Sequence, residues 1–154
     1  MRRRTPRSTL FHDTTLFRYD HQIGEMLQSN PIDLAFIALH GTFGEDGCIQ
    51  GLLEYFKIPY TGSGVMGSAL AYDKLKSKEI LKSHGIPTAD YEVFYRNQKI
   101  CRTLDLPVVV KPTNQGSSLG ITIVKNESEW ESALETAFAY SEEVIVEKDR
   151  KSVV

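Results

Sequence analysis

The stretch with the most chemical promise runs Val108-Val109-Val110-Lys111-Pro112-Thr113-Asn114-Gln115-Gly116-Ser117-Ser118-Leu119-Gly120. Lys111 closes an apolar run, where it is half-sheltered and few structural roles need its charge. The residues Gly116 to Gly120 are mostly small, so backbone N–H groups can turn toward an anion, and Ser117 and Ser118 add two hydroxyls. A cation beside a pliable, amide-rich loop suits a triphosphate. The order differs from the Walker pattern, in which the lysine follows the glycines and opens a helix. Here the loop falls between two predicted strands and would act as a hairpin lid. Spacing alone slightly favours a plainer account, a glycine-rich hairpin with a surface lysine.

Four other places could carry chemistry. Glu147-Lys148 ends an apolar strand, whose edge could offer its backbone to an adenine while Lys148 reaches a ring nitrogen; taken alone, the pair is better explained as a polar strand end. Lys74 follows Asp73 at a helix start, where a lysine is commonly solvated but can reach a phosphate. His40 closes the run Leu34 to Leu39, at the end of a strand where ligands gather in α/β sheets, although a lone histidine is more often structural. Glu45 and Asp46 could form a carboxylate site. The simpler account has Asp46 capping a helix and Glu45 favouring its N-terminus. No Ser/His/Asp arrangement has supporting context, and no His/Cys cluster has metal-ligand spacing.

The elements that must position these residues follow from periodicity and punctuation. Leu34 to Leu39 is a continuous apolar run and predicts a buried strand of a parallel sheet. A glycine-rich loop, His40 to Gly47, leads into a helix from near Asp46 that carries Ile49, Leu52, Leu53 and Phe56 and ends at Ile58-Pro59. Strand, loop and helix make half of a doubly wound unit. After a second glycine-rich turn, Thr61 to Gly64, a short helix is expected over Val65 to Tyr72. Asp73 caps the next helix, and Gly85 and Pro87 punctuate its end. Strands are expected over Tyr91 to Tyr95, Leu106 to Pro112, Ile121 to Val124 and Val144 to Glu147. Asn126 and Glu129 have capping-box spacing ahead of a helix with Trp130, Ala133, Leu134, Ala137 and Phe138 on its buried stripe. A short irregular or helical stretch is expected near Asp20 to Ser29. The pattern changes near Asp73, which divides the chain into residues 1–30, 31–72 and 73–154.

Composition narrows the classes. The chain has 154 residues, 41% of them hydrophobic and 25% charged, as in soluble globular proteins. Its formal net charge of −2 and pI near 6.1 argue against nucleic acid as the main partner. Arg2, Arg3, Arg4 and Arg7 form a basic arm or a frayed, solvated terminus. No apolar h-region follows them, so no secretory signal is read there. No apolar run approaches the ~20 residues of a membrane helix. Cys48 and Cys101 lie far apart, which predicts two free thiols and a reducing cytoplasm.

Taken together and in order, several motifs resemble those of the D-alanine–D-alanine ligase family. They are Leu39-His40-Gly41, Gly44-Glu45-Asp46-Gly47, Gln50-Gly51, Pro59-Tyr60-Thr61-Gly62-Ser63-Gly64, Asp73-Lys74, Lys111-Pro112, Gly116-Ser117-Ser118-Leu119-Gly120 and Glu147-Lys148. The match runs from about Ile32 to Lys148, and the combination is far more specific than any one motif.

The resemblance implies an α/β chain: an incomplete pre-ATP-grasp doubly wound domain followed by the first lobe of an ATP-grasp domain. It implies ATP-dependent joining of two D-alanines for peptidoglycan synthesis through an acyl phosphate, with Mg²⁺ neutralising the transferred charge. Lys74 and Lys111 would contact ATP phosphates, and Gly116, Ser117, Ser118 and Gly120 would close over them. Glu147 and Lys148 would bind the adenine end. Ser117, His40 and Glu45 would form the network around the first D-alanine. The family resemblance also implies a homodimer. Residues 1–30 lack the family's glycine-rich segment and its glutamate, and Asp149 to Val154 do not continue the family's pattern. Half of the family's length, with the Mg²⁺ ligands, is therefore expected elsewhere, and this chain is expected to be truncated and inactive alone. The alternatives are a ligase joining D-alanine to D-lactate or D-serine, or a non-catalytic remnant.

Overall fold

The computed structural model describes residues 22–116 and 118–149. The chain divides into two compact units, residues 1–32 and 33–154. In the first, helix α1 spans Ile23–Ser29, where the sequence predicts a short irregular or helical stretch.

The second unit is built on a four-stranded antiparallel sheet. Its strands are β1 (Tyr91–Tyr95), β2 (Val108–Pro112), β3 (Thr122–Val124) and β4 (Glu143–Lys148), in the order β1-β4-β2-β3. Helix α5 (Trp130–Phe138) covers one face. Val108, Val110, Val124, Val144 and Val146 point into that face and pack with Ala133, Leu134, Ala137 and Phe138. The other face carries the alternate residues, Lys111 and Glu147 among them, as the two-residue period of a strand requires. Ahead of α5, the Glu129 carboxylate accepts the N–H groups of Lys125 and Asn126, as the capping spacing predicts.

Helix α4 (Lys74–Ser83) begins where Asp73 accepts the Lys76 N–H at 2.9 Å. Its end is a Schellman motif: Gly85, at φ +69°, donates to Lys82 O and Ile86 donates to Leu81 O. Helix α2 (Cys48–Tyr55) ends in the same way, with Lys57 N–H to Glu54 O and Ile58 N–H to Leu53 O. There Lys57 occupies the left-handed position at φ +58°. Helix α3 (Val65–Tyr72) lies where the sequence places it.

Two sequence expectations are corrected. The run Leu34 to Leu39 is not a buried sheet strand. Among the described residues it makes one parallel bridge, Ala35 to Tyr60, and Leu34 and Phe36 stand 60% and 79% exposed. An all-apolar strand is buried only when both faces are covered, and here one is bare. The segment around Glu147-Lys148 is also not a sheet edge. Strand β4 pairs with β1 on one side and β2 on the other. The Lys148 N–H is already given to Asp90 O, and that of Asp149 to Pro107 O.

Gly120 closes the β2–β3 hairpin loop at φ +71°, and a Cβ there would lie 2.8 Å from Tyr140 Cδ2. Gly120→Ala is expected to cost roughly 1–3 kcal/mol through backbone strain and overpacking. Lys57→Gly is expected to gain about 0.5–1 kcal/mol by relieving the left-handed lysine. Urea unfolding of both variants against wild type checks the opposite signs.

Candidate functional site

The face of the sheet opposite α5 gathers charge. The pairing of β2 with β4 sets Val109 opposite Glu147 and Lys111 opposite Ile145, so Lys111 and Glu147 rise from the same face on neighbouring strands. The Lys111 Nζ meets Glu147 Oε2 at 2.6 Å. Helix α4 brings a second lysine to the same carboxylate, Lys78 Nζ to Glu147 Oε1 at 3.0 Å. Glu147, Lys111 and Lys78 keep side-chain exposures of 13%, 18% and 9%. One helical turn before Lys78, Lys74 donates from Nζ to the Gln115 carbonyl and from its backbone N–H to Thr113 O at 2.8 Å. Burial lowers the Lys74 pKa and the Lys111 charge lowers it further; Asp73 and Glu147 pull the other way without cancelling the shift.

The loop after β2 leads from this cluster to the one around His40. A Cβ on Gly116 would lie 3.4 Å from Gly41 Cα and 3.6 Å from Glu45 Oε2, so the loop lies against the His40–Gly47 turn. That turn is held by Glu45, whose Oε2 accepts the Gly41 N–H at 2.7 Å. Glu45 Oε1 lies 3.7 Å from the Nδ1 of His40, whose ring is exposed. Asp46 accepts N–H groups from Phe43 and Cys48. Burial would raise its pKa, but those two bonds outweigh it and hold the carboxyl below its usual range. Asp46 therefore braces the loop and the start of α2, which is the structural role the sequence favours for it. Farther along the hairpin loop, Ser118 takes φ +64° and its carbonyl accepts the Ile121 N–H.

Of the sequence-selected residues, Lys74, Lys111 and Glu147 share one cluster, and Gly116 links it to His40 and Glu45. Gly120 shapes the hairpin. Lys148 does not join the cluster, because strand alternation puts it on the face opposite Glu147, with an exposed side chain. Ser117 lies outside the described residues. Sequence reasoning missed Lys78. Its signal was present: Lys74 and Lys78 are four residues apart on one helix and must share a face. Among the described residues, no group of three or more His, Cys, Asp or Glu could hold a metal ion. Cys48 and Cys101 are free.

Two family models match this chain. One, described as D-ala D-ala ligase N-terminus, spans residues 4–63, beginning well before Ile32, where the motif resemblance starts; the other, D-ala D-ala ligase C-terminus, spans residues 80–153. The chain belongs to the D-alanine–D-alanine ligase family. A D-alanine–D-alanine ligase from Syntrophotalea carbinolica is 52% identical over 127 residues, covering 82% of this chain and 42% of the relative. The crystal structure of the D-alanine–D-alanine ligase from Bacillus anthracis superposes with a TM-score of 0.77 at 39% identity, over 85% of this chain and 44% of that one. The Bacillus anthracis ligase complexed with ATP gives a TM-score of 0.73 at 39% identity, over 83% and 43% of the two chains. The chain thus spans about two-fifths of the length of these relatives. Its fold is that of an incomplete pre-ATP-grasp doubly wound domain followed by the first ATP-grasp lobe.

The depressed Lys74 pKa carries a sign that can be checked. The folded chain releases the Lys74 proton more readily than the unfolded chain does, so stability rises with pH through the interval just below the ordinary lysine value of 10.5. Lys74→Met is expected to flatten that rise in urea midpoints measured across the interval. Lys111→Met is expected to move the Lys74 titration upward in side-chain NMR while leaving the burial part of the shift.

Proposed function

We propose that this chain supplies the phosphate-binding wall and part of the substrate side of an ATP-dependent D-alanine–D-alanine ligase. One observation carries the reading: the ammonium groups of Lys78 and Lys111 meet at a single carboxylate, and that of Lys74 feels the charges of both Lys111 and Glu147 beside a loop of small residues. A surplus of half-buried positive charge favours an anion that can meet it, and a nucleotide triphosphate is such a polyanion.

In this reading Lys74 and Lys111 hold ATP phosphates, and Gly116, Ser117, Ser118 and Gly120 fold over them. Glu147 and Lys148 stand at the adenine end, Glu147 by its side chain. His40 and Glu45, with Ser117, line the place of the first D-alanine, which supports residues 31–72 as the substrate side and 73–154 as the nucleotide side. The D-alanine carboxylate takes the terminal phosphoryl group of ATP, releasing ADP and leaving an acyl phosphate. The amine of the second D-alanine then attacks the acyl carbon and phosphate departs. The protein's part here is to hold and orient the phosphates and to lower the charge they present. Mg²⁺ belongs to the family's reaction, but the described residues offer no cluster to hold it. A cytoplasmic homodimer completes the proposal.

Two measurements test it. Calorimetry with ATP should show weak, salt-sensitive binding to this chain that Lys111→Met abolishes. Residues 33–149 placed into the Syntrophotalea carbinolica relative, in place of its matching segment, should yield D-alanyl-D-alanine and ADP. Lys111→Met in that chimaera should lower kcat/KM by about 10²-fold or more. A folded chimaera that binds ATP and forms no dipeptide would sink the ligase reading.

A further inference from the structure

We propose that Lys78 is a positioning residue of the phosphate cluster. It is the fixed counter-ion of Glu147, and its presence lets Lys111 leave that carboxylate for a phosphate. The inference rests on the reading of Lys111 as a phosphate ligand and adds a residue to that site.

The two lysines on Glu147 are held very differently. Lys78 Nζ reaches Glu147 Oε1 at 3.0 Å, Thr88 Oγ1 at 2.5 Å and the Ala89 carbonyl at 2.9 Å. An ammonium has three N–H donors, so all of them are engaged. The same group sits 5.0 Å from the centre of the Tyr91 ring, and the residue as a whole is buried. Lys78 is thus anchored to the turn before β1 as well as to the carboxylate. Lys111 Nζ has one partner among the described residues, Glu147 Oε2. Its other two donors have no partner among the described residues.

This asymmetry matters because Glu147 is mostly buried. A carboxylate so placed, stripped of its only counter-charge, would strongly resist the step that strips it. Were Lys111 the sole partner, each binding of a phosphate would have to leave Glu147 bare. With Lys78 fixed on the other oxygen, Glu147 stays neutralised while Lys111 swings away. Lys78 acts on the ligand only through this exchange of partners.

The test uses this chain and Lys78→Met, Lys111→Met and Glu147→Gln alone and combined, with inorganic tripolyphosphate as the probe. If the two lysines are alternate counter-ions, the Lys78→Met/Lys111→Met double variant loses more in its urea midpoint than the two single losses together. Adding Glu147→Gln to it restores most of that loss. Should the double variant fail to fold, folding of the triple variant supports the proposal and its failure overturns it. Tripolyphosphate should bind Lys78→Met about tenfold more weakly than wild type, and Lys78→Met/Glu147→Gln should regain wild-type affinity, a rescue that a purely structural lysine would not give. Additive midpoints, or tripolyphosphate binding indifferent to Lys78, overturn the role of Lys78 alone. No binding by the wild type overturns the phosphate reading and this role with it.

Discussion

Glu147 holds its carboxylate at 13% side-chain exposure, and a charge that far from water must be met by an opposite charge and by hydrogen bonds. Much of the second unit is arranged so that this can happen. Strand β4 lies inside the sheet, which removes Glu147 from bulk water. The register of β2 sets Val109 across from it and puts Lys111 on the same face. Helix α4 runs close enough for Lys78 to reach the second oxygen. A slip of β4 by one residue would turn Glu147 into the face where Val144 and Val146 meet α5, away from Lys78 and Lys111. The ion pair therefore reports the register of the whole sheet.

The same cluster is out of balance by design of its contacts. Asp73, next to Lys74 in the sequence, caps α4 by accepting the Lys76 N–H. Lys76 itself pairs with Glu79 on the exposed side of the helix. Two ammonium groups meet the Glu147 carboxylate, and the Lys74 pKa is lowered first by burial and then by the charge of Lys111. A fold selected for stability alone would place another acid there or remove a lysine. Holding like charges together costs free energy, and a site that bears this cost without a ligand recovers it when an anion binds.

Local punctuation was legible from the residues. Asp73 as cap, Gly85 as stop and Glu129 ahead of α5 each depend on neighbours within a few positions, and the helices they bound stand where those residues put them. The alternating valines of β2 and β4 announced strands for the same reason. Lys111 and the loop to Gly120 were legible as a candidate because a lysine at the end of an apolar strand has few other uses. Long-range facts were not. Nothing in Leu34 to Leu39 says how many strands will flank it, so the run read as buried although one face is bare. Nothing near Glu147 says that β1, from more than 50 residues earlier, will pair on its far side and make β4 an interior strand. Taken alone, Glu147 read as the polar end of a strand, because its lysine partners come from two other elements. The i, i+4 spacing of Lys74 and Lys78 was visible, but its meaning required the position of Glu147.

The two faces of the sheet explain how a charged cluster can be both precise and mobile. On one face Val108, Val110, Val144 and Val146 are fully buried under α5, so the strands that carry Lys111 and Glu147 are fixed by apolar packing that involves neither side chain. On the other face Ile123 remains half exposed, and Lys111 is held there by its ion pair with Glu147. Backbone position is therefore set by the core, and side-chain position is left to electrostatics. A lysine on a four-carbon stem anchored by such a strand can exchange one oxygen for another without disturbing the sheet. The loop that begins one residue after β2 inherits the same anchoring at Pro112 and Gly120, where Tyr140 leaves no room for a side chain.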